Sequence, residues 1–204
     1  MRLLIGSFLG LAVIGVLAPF ADGHFRLLEP KSWVVENQLG DPQKLGPCGG
    51  TSDKTETPTN AITNIQGGQK LHIKVQETVF HPGHYRIALA VNSRAELPDD
   101  PAVVTRDTER GPVSVSAKID EVANIPVLAD GLWRHEARVT EPFETDVQLP
   151  NINCPTCILQ IAEFMANHTY NKDGGYTYHH CAVLNITADP SKAIDTRWPA
   201  ARGK

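Results

Sequence analysis

The sequence predicts an all-β fold, namely an immunoglobulin-like or fibronectin-like antiparallel β-sandwich with long loops. Several short segments alternate apolar and polar residues, which is the period of a half-buried strand. Sixteen glycines and fifteen prolines among 204 residues favour a chain rich in turns. No segment carries a convincing amphipathic helical period, so long helical bundles are excluded and two packed sheets are favoured.

The clearest strand signals come early in the chain. Residues 70–77 place Leu71, Ile73 and Val75 on one face, and residues 84–91 repeat the alternation. Pro82 and Gly83 stand near the end of the segment between them, so a β-hairpin is expected.

The remaining strands and loops follow from the same patterns. Further strands are predicted over residues 112–119, 143–149, 157–165 and 176–187. The two segments rich in Pro, Asp, Glu and Arg are expected to be long surface loops, and they are residues 93–111 and 120–142. Residues 188–204 are expected to be a frayed C-terminal tail, which leaves residues 24–187 as a single domain.

Residues 1–23 predict a signal peptide rather than a part of the fold. Arg2 precedes an apolar run of about 15 residues, short of the roughly 20 that cross a bilayer. Ala21 and Gly23 supply the small residues that favour cleavage after Gly23, whereas a cut after Ala21 would place Pro19 three residues upstream. We therefore expect a mature chain that begins at His24, has no membrane anchor and is secreted or periplasmic.

Charge and cysteine content restrict the function further. The chain carries 19 Lys+Arg against 23 Asp+Glu, without a basic run, which argues against nucleic-acid binding. Four cysteines in an exported chain predict two disulfides, for which three pairings are possible. We favour Cys154–Cys157 as a local link and Cys48–Cys181 as a long one. A thioredoxin-like redox site would need a βαβ pattern, and a zinc knuckle would need a second close cysteine pair.

A histidine at the first position of the mature chain suggests a metal site. Its α-amine and its ring are two nitrogen donors, and the amine loses its proton near neutral pH. Nitrogen donors in a planar arrangement suit Cu(II) best among the divalent first-row ions. A third nitrogen from another histidine would complete a T-shaped site. Because a histidine can also occupy this position by chance, the position by itself is weak evidence.

Two histidines are the candidates for that third nitrogen. His81 lies in the predicted turn, where a loop can present a ligand beside the N-terminus, and His84 opens the next strand. We favour His81 as the ligand and leave His84 open, either as the ligand or as a neighbour of the site. Three other histidines are expected at the surface, and they are His72, His135 and His168.

His179 and His180 are adjacent in a predicted strand, so their side chains point to opposite faces and cannot both reach one ion. Tyr178 and His180 share the core face with Ala182, and His179 lies on the other face. A tyrosine at the rim of that face can approach a metal ion axially.

Four motifs together resemble the lytic polysaccharide monooxygenases, in particular their chitin-binding, histidine-brace copper members. The first is the start His24-Phe25-Arg26-Leu27-Leu28-Glu29-Pro30-Lys31-Ser32-Trp33, and the second is His81-Pro82-Gly83-His84-Tyr85. The third is Tyr176-Thr177-Tyr178-His179-His180-Cys181-Ala182, and the fourth is Asn153-Cys154-Pro155-Thr156-Cys157-Ile158-Leu159-Gln160. The resemblance touches most of residues 24–187.

The resemblance implies a β-sandwich that binds copper through the His24 amine and ring and through His81. In such enzymes an external electron donor reduces the copper, which activates O2 or hydrogen peroxide and oxidises C1 or C4 of a polysaccharide such as chitin or cellulose. The resemblance maps the axial group onto Tyr178, and it gives His84 and Gln160 the role of orienting the oxygen species. A monomer is expected.

A second hypothesis is a non-catalytic copper carrier of the periplasm that uses the same three nitrogens. It is motivated by the lack of an obvious aromatic binding face, since Trp133 is the only tryptophan in the predicted loops between the hairpin and the Cys154–Cys157 pair. A metal-free carbohydrate-binding module would need exposed aromatic residues that the sequence does not reveal.

Overall fold

The protein is built from β-strands, as the sequence predicts. The structure, a computed structural model, describes residues 23–120, 124–170 and 176–201. The described strands are β1 His24–Glu29, β2 Ile62–Gln66, β3 Lys70–Val79, β4 Gly83–Ala90, β5 Val104–Thr108, β6 Gly111–Val115, β7 Val127–His135, β8 Phe143–Gln148, β9 Cys154–Met165, β10 His168–Thr169 and β11 Thr177–Thr187. A 3₁₀ turn spans Arg94–Glu96. In the described ranges no helix is long and apolar enough to cross a membrane. The expected signal peptide falls, except for Gly23, outside them.

Two sheets enclose the main core. One has the strand order β1-β3-β8 and the other β2-β11-β9-β4-β7, while a small third sheet has the order β10-β6-β5. Ile73 of β3 and Ile87 of β4 are fully buried members of one apolar cluster to which both larger sheets contribute. This is the arrangement of a β-sandwich. The pairing is antiparallel apart from β2, which runs parallel to β11.

The predicted hairpin between β3 and β4 is wrong. β3 pairs with β1 and β8, whereas β4 pairs with β7 and β9, so the connection at residues 80–82 passes from one sheet to the other. The alternation of apolar residues determines which face of a strand is buried, but it does not determine the neighbouring strand. His81 therefore lies at the end of the sandwich, between the two sheets.

The two segments that were predicted to be loops contain strands. Residues 93–111 include β5, and residues 120–142 include β7, which pairs with β4. β7 escapes detection because its pairing with β4 shifts register repeatedly, and its burial accordingly does not alternate cleanly. β5 is exposed along its whole length and so has no apolar face to reveal it.

The segment 188–201 is packed against the domain, so the expectation of a frayed tail is wrong there. The Trp198 side chain is 8% exposed and belongs to the main core. The side-chain amide of Asn151 donates hydrogen bonds to the carbonyl groups of Asp189, Lys192 and Ala193. These bonds hold the turn that leads the chain back to the core.

Both favoured disulfides, Cys48–Cys181 and Cys154–Cys157, are present. Cys48 and Cys181 form a second apolar cluster with Ala88 and Ala90, on the face of β4 that points away from the main core. This cluster explains why β4 is buried on both faces.

Replacing Trp198 should reveal how much the C-terminal segment contributes to stability. We expect Trp198→Ala to lower the free energy of unfolding by about 3 kcal/mol, because a large buried ring is lost and a cavity remains. Arg197→Ala, at an exposed neighbour, should leave it nearly unchanged. Urea denaturation followed by fluorescence measures both values. Equal values for the two variants would show that the segment does not support the core.

Candidate metal centre

His24 lies at the first position of β1, at the end of the sandwich. Its side chain is nearly buried, and its ring centroid lies 5.0 Å from that of Tyr178 on β11. The Lys44 ammonium lies 5.8 Å from the centroid of the Tyr178 ring. Tyr178 therefore lies against the His24 ring, and its role as an axial group at a metal stays a prediction.

His81 lies beside the residue that precedes His24. A Cβ atom added to Gly23 would come within 3.0 Å of the His81 Cβ and within 3.5 Å of its Cγ. The peptide that joins Gly23 to His24 thus adjoins the second histidine. The structure brings together His24, His81 and Tyr178, three of the residues that the sequence singled out.

The outer edge of β1 is bound by side chains rather than by another strand. The Phe25 N–H donates to Gln43 Oε1 at 3.1 Å, and the Phe25 carbonyl lies 3.0 Å from His180 Nε2. The Leu27 N–H donates to Glu36 Oε1 at 3.3 Å. With β3 on its other edge, the strand that carries His24 is fixed from both sides.

A glycine makes this edge contact possible. A Cβ on Gly40 would lie 1.9 Å from the Phe25 carbonyl oxygen, and the φ angle of +105° is one that residues with side chains rarely adopt. The 37–43 loop can therefore approach β1 closely enough for Gln43 to reach the Phe25 N–H.

Two of these side chains form a buried titratable pair. Burial raises the pKa of Glu36 to about 7, and burial lowers the pKa of His180 to about 4. Because the Phe25 carbonyl can only accept, Nε2 of His180 must carry hydrogen. The other ring nitrogen, Nδ1, carries no hydrogen and lies 3.2 Å from Glu36 Oε1. It therefore faces a carboxyl group that retains its proton up to about pH 7.

The nitrogens of His24 are distinguished by a neighbouring carboxylate. Nε2 lies 3.5 Å from Asp41 Oδ1, which favours hydrogen on Nε2 and leaves the lone pair on Nδ1. Nδ1 is the ring nitrogen that can close a chelate with the amine of the same residue. An amine, this Nδ1 and the His81 ring are donors that fit Cu(II).

The described residues contain no group of three or more His, Cys, Asp or Glu side chains that could hold a metal ion. The candidate donor set, the amine and ring of His24 with the ring of His81, is not such a group of side chains, because one of its three nitrogens is the α-amine of His24. That amine exists only after cleavage of the chain behind Gly23.

His84 and Gln160 do not join the other candidates. His84 packs its ring on Phe164 and places Nε2 3.3 Å from Asp130 Oδ1. The Gln160 amide donates to the carbonyl of Pro47 at 2.8 Å. Gln160 pairs with Cys181, so it lies on the opposite face of the sheet from Tyr178. In the described ranges these contacts give neither residue a place beside His24 or His81.

The other histidines divide into expected and unexpected positions. His72 is exposed next to Asp146, as predicted, and His179 and His180 point to opposite faces. His168 was expected at the surface, yet its ring stacks on that of His81, with centroids 5.0 Å apart and planes inclined by 15°. His135 was also expected at the surface, and it instead contacts Glu77.

Two buried glutamates behind the site escaped the sequence analysis. Glu163 of β9 lies in register between Tyr85 and Tyr178 and is fully buried. Burial, and next the nearby Glu77 carboxylate, raise the pKa of Glu163 well above its usual value. Glu77 continues the buried face of β3 and lies 2.9 Å from His135 Nε2. Glu77 stands two residues after the buried Val75, and Glu163 two residues after the buried Ile161. The alternation of each strand therefore places both acids on a buried face, and this pattern could have revealed them.

The His135 imidazole is affected by the same contact. Burial acts to lower the pKa of His135, but the hydrogen bonds to Glu77 and to the Trp133 carbonyl outweigh it and raise the pKa.

Comparison with solved structures finds a remote likeness. No family model matches the chain, and no curated protein matches it. A solved structure, the lytic polysaccharide monooxygenase AA15 from Thermobia domestica in the Cu(I) state, is similar over 64% of this chain and 65% of that chain. The sequence identity is 16% and the TM-score is 0.39. The match spans less than two thirds of that protein, and at this TM-score it assigns no activity.

The buried acid should make stability depend on pH. Because Glu163 keeps its proton in the folded chain, stability falls as pH rises above about 4.5, by at most about 1.4 kcal/mol per pH unit. Glu163→Gln cannot titrate, so its stability relative to the natural chain should increase steadily between pH 5 and pH 8. Urea denaturation across this range measures the difference, with the exposed Glu109→Gln as the control. Parallel curves for the natural chain and Glu163→Gln would contradict the assignment.

Proposed function

We propose that the mature chain binds copper through the amine and ring of His24 and the ring of His81, and that it oxidises a polysaccharide such as chitin or cellulose. The observation that carries the proposal is the closeness of Gly23 to His81, where an added Gly23 Cβ would lie 3.0 Å from the His81 Cβ, with Tyr178 against the His24 ring. Cleavage behind Gly23 would expose an amine beside the second imidazole.

Each residue has a defined part in this proposal. His24 contributes its amine and Nδ1, while Asp41 keeps hydrogen on Nε2. His81 supplies the third nitrogen, and Tyr178 restricts approach on one side of the His24 ring. Bound copper supplies one-electron chemistry with O2 or hydrogen peroxide at C1 or C4 of the sugar, after reduction by an external donor.

The substrate is proposed from the sequence resemblance. In the described part of the chain, hydrophobic side chains exposed near the site include Leu39, Leu45 and Tyr170, which are 46%, 48% and 51% exposed. Leu39 belongs to the 37–43 loop, whose Gln43 accepts a hydrogen bond from the strand bearing His24. Leu45 follows Lys44, which faces the Tyr178 ring, and Tyr170 lies two residues from His168.

A non-catalytic copper carrier is the second candidate, and one observation favours it. In the described part of the chain, Tyr170 is the only aromatic residue among the strongly exposed hydrophobic side chains. A flat polysaccharide surface is commonly bound by several aromatic rings, whereas a carrier needs none.

An extracytoplasmic location accords with the two disulfides, which persist in oxidising compartments. We propose a secreted or periplasmic monomer, in keeping with the signal peptide expected over residues 1–23.

Mass spectrometry of reaction products tests the proposed activity. The mature chain, loaded with copper and given a reductant, should release aldonic or ketoaldose oligosaccharides from chitin or cellulose. His81→Ala should abolish these products because one of the three nitrogens is lost, while His72→Ala, at an exposed histidine, should preserve them. Tight copper binding without products on a broad polysaccharide panel would support the carrier. Products that persist in His81→Ala would contradict the assigned site.

A further inference from the structure

We propose that Glu77 is a positioning residue for His81: its carboxylate, oriented by His135, fixes the backbone of the connection between β3 and β4. The direction in which His81 presents its ring then depends on a side chain four residues upstream. The inference rests on the proposed function to the extent that His81 is a metal ligand.

The first part of this arrangement is the bond between Glu77 and the connection. Glu77 is the one acidic residue of β3, and its side chain is 1% exposed. Its Oε1 accepts a hydrogen bond from the His81 N–H at 3.1 Å. The bond joins the end of the strand to the backbone of the proposed ligand itself.

The second part is the orientation of Glu77 by His135. Nε2 of His135 lies 2.9 Å from Glu77 Oε1, and Nδ1 lies 2.8 Å from the Trp133 carbonyl oxygen. Since that carbonyl can only accept, Nδ1 carries hydrogen, which fixes the plane of the ring and directs Nε2 at Glu77 Oε1. A ring held at both of its nitrogens keeps the Glu77 carboxyl group in one place.

These contacts connect the two sheets at the proposed site. Glu77 belongs to the sheet β1-β3-β8, and His135 ends β7 of the sheet β2-β11-β9-β4-β7. The path from the Trp133 carbonyl through His135 and Glu77 to the His81 N–H therefore spans the gap that the connection crosses. The position of His81 is determined by both sheets rather than by a free loop.

A glutamate at position 77 of β3 is not what the packing of the core requires. A carboxylate in phase with Leu71, Ile73 and Val75 costs free energy to bury, and an apolar residue would serve the core better. Its Oε1 atom instead serves as the shared partner of the His81 N–H and of His135 Nε2, a hydrogen bond to the backbone that no apolar side chain could make. A metal site tolerates errors of only about 0.5 Å in its donors, which gives such a bond a use.

The test compares Glu77→Ala with Glu77→Gln in the mature chain that begins at His24. Glu77→Ala should weaken Cu(II) binding by about 10- to 100-fold in calorimetry and alter the copper hyperfine splitting in electron paramagnetic resonance. Glu77→Gln should restore most of the affinity and the spectrum, because its amide oxygen still accepts from the His81 N–H. Asn151→Ala, which also removes buried hydrogen bonds but in the turn that holds the C-terminal segment, should leave both unchanged.

Two further measurements keep the outcome decisive. His135→Phe preserves packing against Phe80 and Phe143 and should shift copper affinity in the same direction as Glu77→Ala, even where the latter folds poorly. In the metal-free protein, the ¹⁵N–¹H resonance of His81 should move in Glu77→Ala but not in Asn151→Ala.

The results separate the two proposals. Copper binding whose affinity and spectrum are the same in the natural chain, Glu77→Ala and His135→Phe would overturn this inference alone. A natural chain that binds no copper would overturn the proposed function, and the His81 resonance would still decide whether Glu77 fixes the connection. A His81 resonance that does not respond to Glu77→Ala would overturn the inference regardless of copper.

Discussion

The candidate site depends on the hydrogen bonds that fix the outer edge of β1. One of the three proposed donors is a backbone nitrogen, so its position is only as well defined as the backbone that carries it. Gln43, His180 and Glu36 bind the edge that faces away from β3, and together they place the start of the strand. Three buried polar side chains thereby do for β1 what a neighbouring strand does elsewhere in the sheet.

Buried side chains also fix the backbone at the second histidine, His81. His81 lies in the connection between two sheets, where an irregular segment has few regular hydrogen bonds to hold it. Glu77 supplies one such bond and His135 orients Glu77, so two side chains in hydrogen-bond contact lie where the regular strand pairing ends. Both proposed ligands are thus held through their backbones by buried side chains, and Tyr178 and His168 pack on the rings themselves.

The sequence predicted the strands whose apolar residues alternate, because β3 and β11 each bury one clear face. It also predicted both disulfides and the core-facing orientation of the Tyr178 side chain. It missed the partner of β3, since alternation contains no information about which strand lies alongside. It placed Gln160 at the site, but the register of β9 and β11 sets Glu163 opposite Tyr178. Register between strands distant in sequence is a property of the packed sheets, which no single segment encodes.

The most direct test of this account is the copper affinity of the mature chain measured with and without one extra residue ahead of His24. The chain that begins at His24 should bind Cu(II) tightly in calorimetry. A single methionine in front turns the amine of His24 into an amide, which removes one nitrogen from the chelate, so the affinity should fall by orders of magnitude. Equal affinities for the two chains would contradict the account, because the α-amine of His24 would then not be a ligand.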